Sequence, residues 1–272
     1  MKNITYLSNL RIPSEMANSV QIMKMCEAMS KAGSKVTLIK PNRSHKFNKH
    51  IDNLYDYYDI KTKFPIENLR YIDIHKLETK IPNLIYRSLN YTNNLFWERY
   101  LFNYYINNHK ESIILMRNTL HFLLNKISKY NIPSIIEFHN LPSQRYISEY
   151  VKLFKHSDKV IPLALTKGLA EDLSEKLNIN ISNILVVPGA VDISKYENTK
   201  TSIKHNDKKI KITYVGSLIK NRGVNVLLQS AKYLPNFEFN IIGGVGNDLN
   251  CAKNYINDNV ITNVNLLGHK PQ

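Results

Sequence analysis

Three stretches of the chain carry residues whose types and spacing suit chemistry. The first is Gly216-Ser217-Leu218-Ile219-Lys220-Asn221-Arg222-Gly223, with a strand pattern behind it and a helical pattern ahead. Unpaired N–H groups at a helix start attract phosphate. Lys220 and Arg222 add positive charge, and Arg222 brings a planar fork able to donate two parallel hydrogen bonds. An ordinary strand–helix loop with solvated basic side chains is the competing reading. The second stretch is Gly243-Gly244-Val245-Gly246, also behind a strand pattern. Closely spaced glycines let a ligand approach the backbone. It is not a GxGxxG, because Leu249 stands where the last glycine would be, and a tight turn explains it equally. The third is Glu137-Phe138-His139-Asn140 at a strand end. Ligands of parallel sheets bind beyond the carboxyl ends of the strands, where a histidine can donate to a hydroxyl or a phosphate. A lone loop histidine is more often a plain surface or core residue.

The region Tyr91–Ile106 is dense in aromatics, with Arg87 and Arg99 nearby. Such a helix can lie on an anionic membrane, but a core helix with tyrosine tips reaching water is the preferred reading. Aromatic and basic residues together also bind single-stranded nucleic acid, yet no recognition-module pattern is present. HExxH, P-loop, nucleophile-elbow and zinc spacings are absent.

The elements that must position these residues follow from periodicity. Ile4–Leu7 is a short apolar run, and Met16, Val20, Met23, Cys26 and Met29 recur at helical spacing. Ser14 is placed to cap that helix, with Glu15 in its first turn. Gly33 ends it and Val36–Ile39 is the next strand, so the chain opens as a βαβ unit with a parallel sheet. Further strands are expected at Asn68–Ile74, Ser112–Met116, Ser134–Phe138, Lys159–Leu163 and Ile184–Val187. Helices are expected at Tyr91–Ile106, Thr119–Tyr130 and Thr166–Leu177, the last capped by Thr166. Pro188-Gly189 breaks the pattern, and residues 193–209 contain no core segment. A second opening of the same kind follows, with strands Lys211–Val215, Phe237–Ile242 and Val264–Leu267 and helices Val224–Tyr233 and Asn250–Asn257.

Composition bounds the classes. The 272 residues are 43% hydrophobic and 22% charged, so the chain folds rather than staying disordered. A net charge of +15 favours anionic partners, but the charge is spread, and no block of like charges marks a nucleic-acid tail. Cys26 and Cys251 lie far apart and form no metal-binding pair, which fits a reducing compartment. The amino terminus reads as a strand and not a signal peptide, and no apolar run is long enough to cross a bilayer.

In order along the whole chain, these segments resemble the GT-B glycosyltransferases of family four. The resemblance is carried by Pro13-Ser14-Glu15-Met16-Ala17-Asn18-Ser19-Val20-Gln21, by Met116-Arg117-Asn118, and by Glu137-Phe138-His139-Asn140. It continues through Val187-Pro188-Gly189-Ala190-Val191-Asp192, Tyr214-Val215-Gly216-Ser217-Leu218, Arg222-Gly223-Val224 and Ile241-Ile242-Gly243-Gly244. It implies an α/β protein of two Rossmann-like domains, the second incomplete. Residues 1–190 would be the acceptor-binding domain, 191–210 a linker and 211–272 part of the nucleotide-sugar-binding domain. It also implies a retaining transfer from a nucleotide sugar to a polysaccharide or glycolipid acceptor, with no metal or other cofactor and no nucleic-acid partner. The expected location is cytoplasmic, with peripheral association at the inner membrane face left open. By the same resemblance, Gly216, Lys220, Arg222 and Gly223 hold the donor diphosphate, and Gly243 and Gly244 border the donor. His139 stands near the transferred sugar, and Ser14 and Asn140 face the acceptor.

Three departures from the family pattern stand out. Ser217 replaces an arginine that many members carry after the loop glycine. Gly189-Ala190 replaces the usual Asn-Gly before Val191-Asp192. The family also continues for about a hundred residues beyond Gln272, on domain-size grounds, with a base pocket and a pair of glutamates. Weak or no turnover by the isolated chain is therefore expected. Two other readings stay open: an inactive remnant acting as an interaction module, and a basic Rossmann-like module binding nucleic acid or an anionic surface; a sugar-nucleotide epimerase of the same fold would need further acid–base residues, and the sequence does not support it.

Overall fold

The apolar runs of the sequence form two separate parallel sheets in the computed structural model, which describes residues 2–14, 16–43, 51–74, 80–193, 210–244 and 246–270. The chain divides into two units, Met1–Val191 and Asp192–Gln272. Most of the expected linker, residues 194–209, lies outside the described residues.

The first unit contains strands β1 (Asn3–Leu7), β2 (Lys35–Pro41), β3 (Ile66–Leu69), β4 (Ile113–Arg117), β5 (Ser134–Phe138), β6 (Val160–Ala164) and β7 (Leu185–Val186). They pair in parallel in the order β3-β2-β1-β4-β5-β6-β7. Its helices are α1 (Ala17–Lys31), a single turn α2 (Leu54–Tyr57), α3 (Asn83–His109), α4 (His121–Tyr130), α5 (Ile147–His156) and α6 (Lys167–Leu177). Successive residues of a strand point to opposite faces, and the core divides accordingly. Tyr6, Leu38 and Leu115 join Ile22, Met23 and Cys26 of α1 on one face. Leu7, Ile39, Met116 and Phe138 join residues of α3 to α6 on the other. Burial on both sides is why these strands read as nearly continuous apolar runs. Strand order reverses between β1 and β4, and at such a switch point α/β sheets bind ligands beyond the strand carboxyl ends.

Several elements differ from the sequence expectation. β3 ends at Leu69, because Tyr71 leaves the ladder to meet Trp97 edge-on and to donate to Asn94 at 3.1 Å. α3 begins eight residues earlier than expected, since Leu84, Ile85 and Leu89 are exposed and give the first turns no buried stripe to read. α5 is an additional helix, held by buried Tyr150 and Leu153. Ser14 does not cap α1: the helix starts at Ala17, and the Ser14 Oγ accepts the Met16 N–H at 3.1 Å in a local turn. Glu15 lies outside the described residues. Thr166 does cap α6, accepting from the Leu169 N–H at 3.1 Å.

The second unit contains β8 (Ile210–Val215), α7 (Val224–Tyr233), β9 (Phe237–Ile242), α8 (Gly246–Asp258) and β10 (Val264–Gly268), with parallel sheet order β10-β9-β8. Phe239 and Ile241 of β9 meet Leu228 and Ala231 of α7 and Ala252 of α8 on one face. The alternate residues of the same strands form the other face. There Asn265 donates to Glu238 and Asn240 at 2.9 and 3.0 Å, and Val215 and Leu267 are exposed.

Candidate functional site

The carboxyl edge of the first sheet holds a bonded polar cluster. Arg117 ends β4, Glu137 is the penultimate residue of β5, and the two are register partners. Glu137 is 1% exposed. Its Oε1 accepts from Gln21 of α1 at 2.7 Å and from His139 Nε2 at 2.6 Å, and its Oε2 lies 3.5 Å from the Tyr6 hydroxyl. Burial alone would raise the Glu137 carboxyl. The bonds from His139 and Gln21, with the charge of Arg117, hold it below the usual carboxylate range instead. Burial and the Glu137 charge push the Tyr6 hydroxyl well above its ordinary value. Because Nε2 of His139 is committed to Glu137, Nδ1 is the ring atom left to meet a ligand. Two nitrogens of Arg117, Nε and Nη1, are buried without a hydrogen-bond partner among the described residues. An unfilled guanidinium edge beside a fixed imidazole can hold an anionic or hydroxyl oxygen and orient a proton donor to it.

The loops above this edge are tied together. Asn118 donates to the Asn140 carbonyl at 3.3 Å, and Thr119 Oγ1 donates to Asn9 Oδ1 at 3.1 Å. Asn140 itself is exposed. Ser14 is 2% exposed. The Tyr58 hydroxyl accepts from its N–H at 2.7 Å and donates to its carbonyl at 2.8 Å. Ser14 thus shapes the loop after β1 from inside it. The Lys40 ammonium, also buried, donates to the Ile12 carbonyl at 2.6 Å, and burial lowers it to about 8.

In the second unit, β8 runs into Gly216, a 3-10 turn covers Lys220–Arg222, and α7 begins after Gly223. Gly223 has φ +74, in the left-handed region that favours glycine. Leu218 and Val224 are buried and anchor the loop, while Asn221, Arg222 and Gly223 are exposed. The Lys220 side chain lies outside the described residues. Gly243 explains itself differently from the sequence expectation. A Cβ there would lie 1.9 Å from the Gly216 carbonyl oxygen, at φ +128. At Gly244 a Cβ would run into the Leu218 side chain. What approaches these glycines is the neighbouring loop, and their absent side chains let β9 end against it.

Glu137, His139 and Asn140 therefore share one edge, and Gly243 and Gly244, after β9, lie against the loop that Gly216 and Leu218 form after β8. Gln21, Tyr6 and Arg117 are cluster members that spacing does not reveal. Gln21 and Arg117 stand in segments that carry the family resemblance, but nothing local ties either to Glu137. Among the described residues no group of three or more His, Cys, Asp or Glu side chains is placed to hold a metal ion, and no helix is long and apolar enough to cross a membrane. A larger depression of about 350 Å³ lies at the amino ends of β1 and β2, away from the strand ends that bind ligands.

No protein-family model and no curated protein sequence matches the chain. Solved structures do match in fold. A glycosyltransferase of Rickettsia africae ESF-5 aligns over 99% of this chain and 68% of its own, with TM-score 0.68 and 14% identity. Anabaena HepE in complex with UDP-glucose aligns over 99% and 70%, with TM-score 0.60 and 13% identity. The UDP-GlcNAc 2-epimerase of Neisseria meningitidis bound to UDP-GlcNAc aligns over 100% and 73%, with TM-score 0.57 and 17% identity. The seven-stranded parallel sheet with its second, smaller sheet is thus the α/β fold of GT-B glycosyltransferase structures. At these identities the likeness concerns the fold, and function has to be argued from the site.

Proposed function

We propose that this chain is a retaining glycosyltransferase of the family-four kind, moving a sugar from a nucleotide-sugar donor to a carbohydrate or glycolipid acceptor without a metal. The observation that carries the reading is the β8–α7 loop. Exposed Arg222 and Gly223 precede a ten-residue helix at a strand carboxyl end, in a fold whose solved examples include complexes with UDP-glucose and UDP-GlcNAc. Departure of a nucleoside diphosphate builds negative charge. Open amides at a helix start, with Arg222 and Lys220, stabilise that charge as it develops. Gly216 and Gly223 leave the two ends of the loop without side chains, and Gly243 and Gly244 let the next strand end lie beside it.

On the acceptor side, His139 works beside the transferred sugar, its imidazole oriented by Glu137 and Gln21. Arg117 offers its unfilled edge to an oxygen of the ligand. Asn140 reaches the acceptor directly, and Ser14 acts through the loop it braces. Peripheral association with an anionic membrane surface is supported by α3, where exposed Ile85, Leu89, Phe96 and Tyr100 recur along one face.

The test is calorimetric titration of the 272-residue chain with UDP, ADP and GDP and their hexose conjugates, in the presence of a chelator. Binding of at least one nucleotide is expected. Arg222→Ala should weaken it about tenfold, roughly 1.4 kcal/mol. Absence of binding by every nucleotide would end the proposal. An epimerase is the second reading, favoured by the likeness to the Neisseria enzyme. Conversion of UDP-GlcNAc to its 2-epimer by the chain would select it.

A further inference from the structure

Between Gly216 and Lys220 the β8–α7 loop offers Ser217, Leu218 and Ile219, none of them charged. A hold on a diphosphate in this stretch therefore falls to one hydroxyl and the main chain. That main chain is braced by Tyr214, the penultimate residue of β8. The Tyr214 ring packs with the cluster of Leu218, Val224, Leu228 and Ile241, and its hydroxyl donates to the Ser217 carbonyl at 2.8 Å. A packed ring on only two side-chain torsions is a stiff strut.

Gly216 makes room for it. A Cβ at Gly216 would lie 2.9 Å from the Tyr214 hydroxyl oxygen and 3.2 Å from its Cζ. Gly216 is not among the glycines of positive φ, so its backbone conformation does not itself call for glycine. The ring does. Glycine and tyrosine form one device: the first lets the ring lie across the turn, and the second reaches the next carbonyl.

The consequence lies at the other end of the same peptide. The Ser217–Leu218 bond is trans, since Ile12–Pro13 is the one cis peptide among the described residues. In a planar trans peptide the carbonyl and the following N–H point in opposite directions. Holding the Ser217 oxygen against Tyr214 therefore turns the Leu218 N–H away from the ring. Leu218 is fixed from its side chain as well, which fills the space over Gly244, where a Cβ would lie 2.5 Å from Cδ1. The Leu218 N–H has no hydrogen-bond partner among the described residues. An amide of fixed direction, left open by the protein, is a donor to a ligand or to water. This one opens after the carboxyl end of β8, the kind of edge at which parallel sheets take ligands. We infer that Tyr214 is a positioning residue of this loop, whose hydroxyl aims the Leu218 amide at the diphosphate of a nucleotide. The inference rests on the transferase reading above and adds to it a contact outside α7 and the side chain that sets it.

The experiment is an amide-resolved NMR titration of the 272-residue chain with UDP, ADP and GDP. Beside the parent it uses Tyr214→Phe, Gly216→Ala and the two combined. In the parent, the Leu218 amide proton is expected to move downfield and to saturate together with those of Val224 and Asn225. At saturation, Tyr214→Phe should lose most of the Leu218 shift and keep the other two. Affinity should fall about fivefold, roughly 1 kcal/mol. Gly216→Ala should act in the same way by displacing the hydroxyl. The double variant should bind no more weakly than either single one, because both remove the same bond. The selective loss separates positioning from packing, since a loosened second unit would diminish all three shifts alike. Should Gly216→Ala unfold that unit, Tyr214→Phe decides alone. Nucleotide binding with an unmoved Leu218 amide would overturn the inference and leave the transferase reading standing. So would a Tyr214→Phe chain with the parent's Leu218 shift, or with equal loss at all three amides. No binding by any of the three nucleotides would remove both.

Discussion

In the first unit, polar side chains at the sheet edge hold one another; in the second, the backbone is held and the charged side chain stands in water. Glu137 is buried and fixes His139 and Gln21 at bonding distance. Around Gly216 the order comes from main chain: Gly216 N–H donates to the Ile242 carbonyl at 3.0 Å, and Gly243 N–H to the Gly268 carbonyl at 2.8 Å. Arg222 is exposed at the rim. The covering differs in the same sense. The first sheet is packed on both faces, and the second has one packed face and one carrying exposed Val215 and Leu267. On the function proposed above, these are two ways of pre-organising a site. A proton-donating side chain needs its tautomer and direction set by neighbours, whereas a diphosphate needs fixed amides and a mobile cation.

Variants that break each kind of order separate the two. Gly243→Ala places a Cβ against the Gly216 carbonyl in a backbone region hostile to side chains. Strain and overpacking together should cost on the order of 4 kcal/mol. The loss should appear in the second unit alone, read by hydrogen exchange at Phe239 and Ile241 amides, with the first unit unchanged. Glu137→Ala leaves buried donors on His139 and Gln21 unfilled and should cost about 3 kcal/mol. That loss should appear in the first unit alone, by the same exchange measurement at Leu115 and Ile136.

Glu137→Gln sharpens the comparison through pH. The folded carboxyl is held below its ordinary value of 4.5. Its stabilisation is therefore complete above that value and lost as pH falls through the folded value beneath it. The glutamine variant should lack this part of the acid destabilisation. Glu98 has the opposite sign. Its carboxyl is raised from 4.5 to about 7, so stability is highest below 4.5 and declines as pH rises to about 7. Glu98→Gln should flatten that decline, by on the order of 2 kcal/mol, in denaturant titrations at pH 4.5 and 7.5.

Much of the fold was legible because doubly buried strands leave apolar runs that survive in the sequence. β1, β4, β5 and β6 are such runs. α5 was absent from the sequence expectation although its pattern is regular: Ile147, Tyr150, Val151 and Phe154 recur at helical spacing, with Lys152 and Lys155 on the exposed side. Within the candidate site, the strand-end position of His139 was visible, since a strand end can be read locally. Its bonding was not: Gln21 reaches Glu137 across 116 residues of sequence, a pairing that only the sheet order creates. The glycine pair near β9 was legible as a constraint but not as its cause, because Gly216 follows a different strand. Glu98 sits mid-helix in a stretch of aromatics, and its burial depends on α4 docking its first turn against it.

The central claim is that the amides opening α7 receive a nucleoside diphosphate. An amide-resolved NMR titration of the chain with UDP and ADP tests it most directly. The largest shifts are predicted at Gly223, Val224 and Asn225, saturating together and greatly reduced in Arg222→Ala. Saturable shifts confined to the first unit, with those three amides unmoved, would contradict the account.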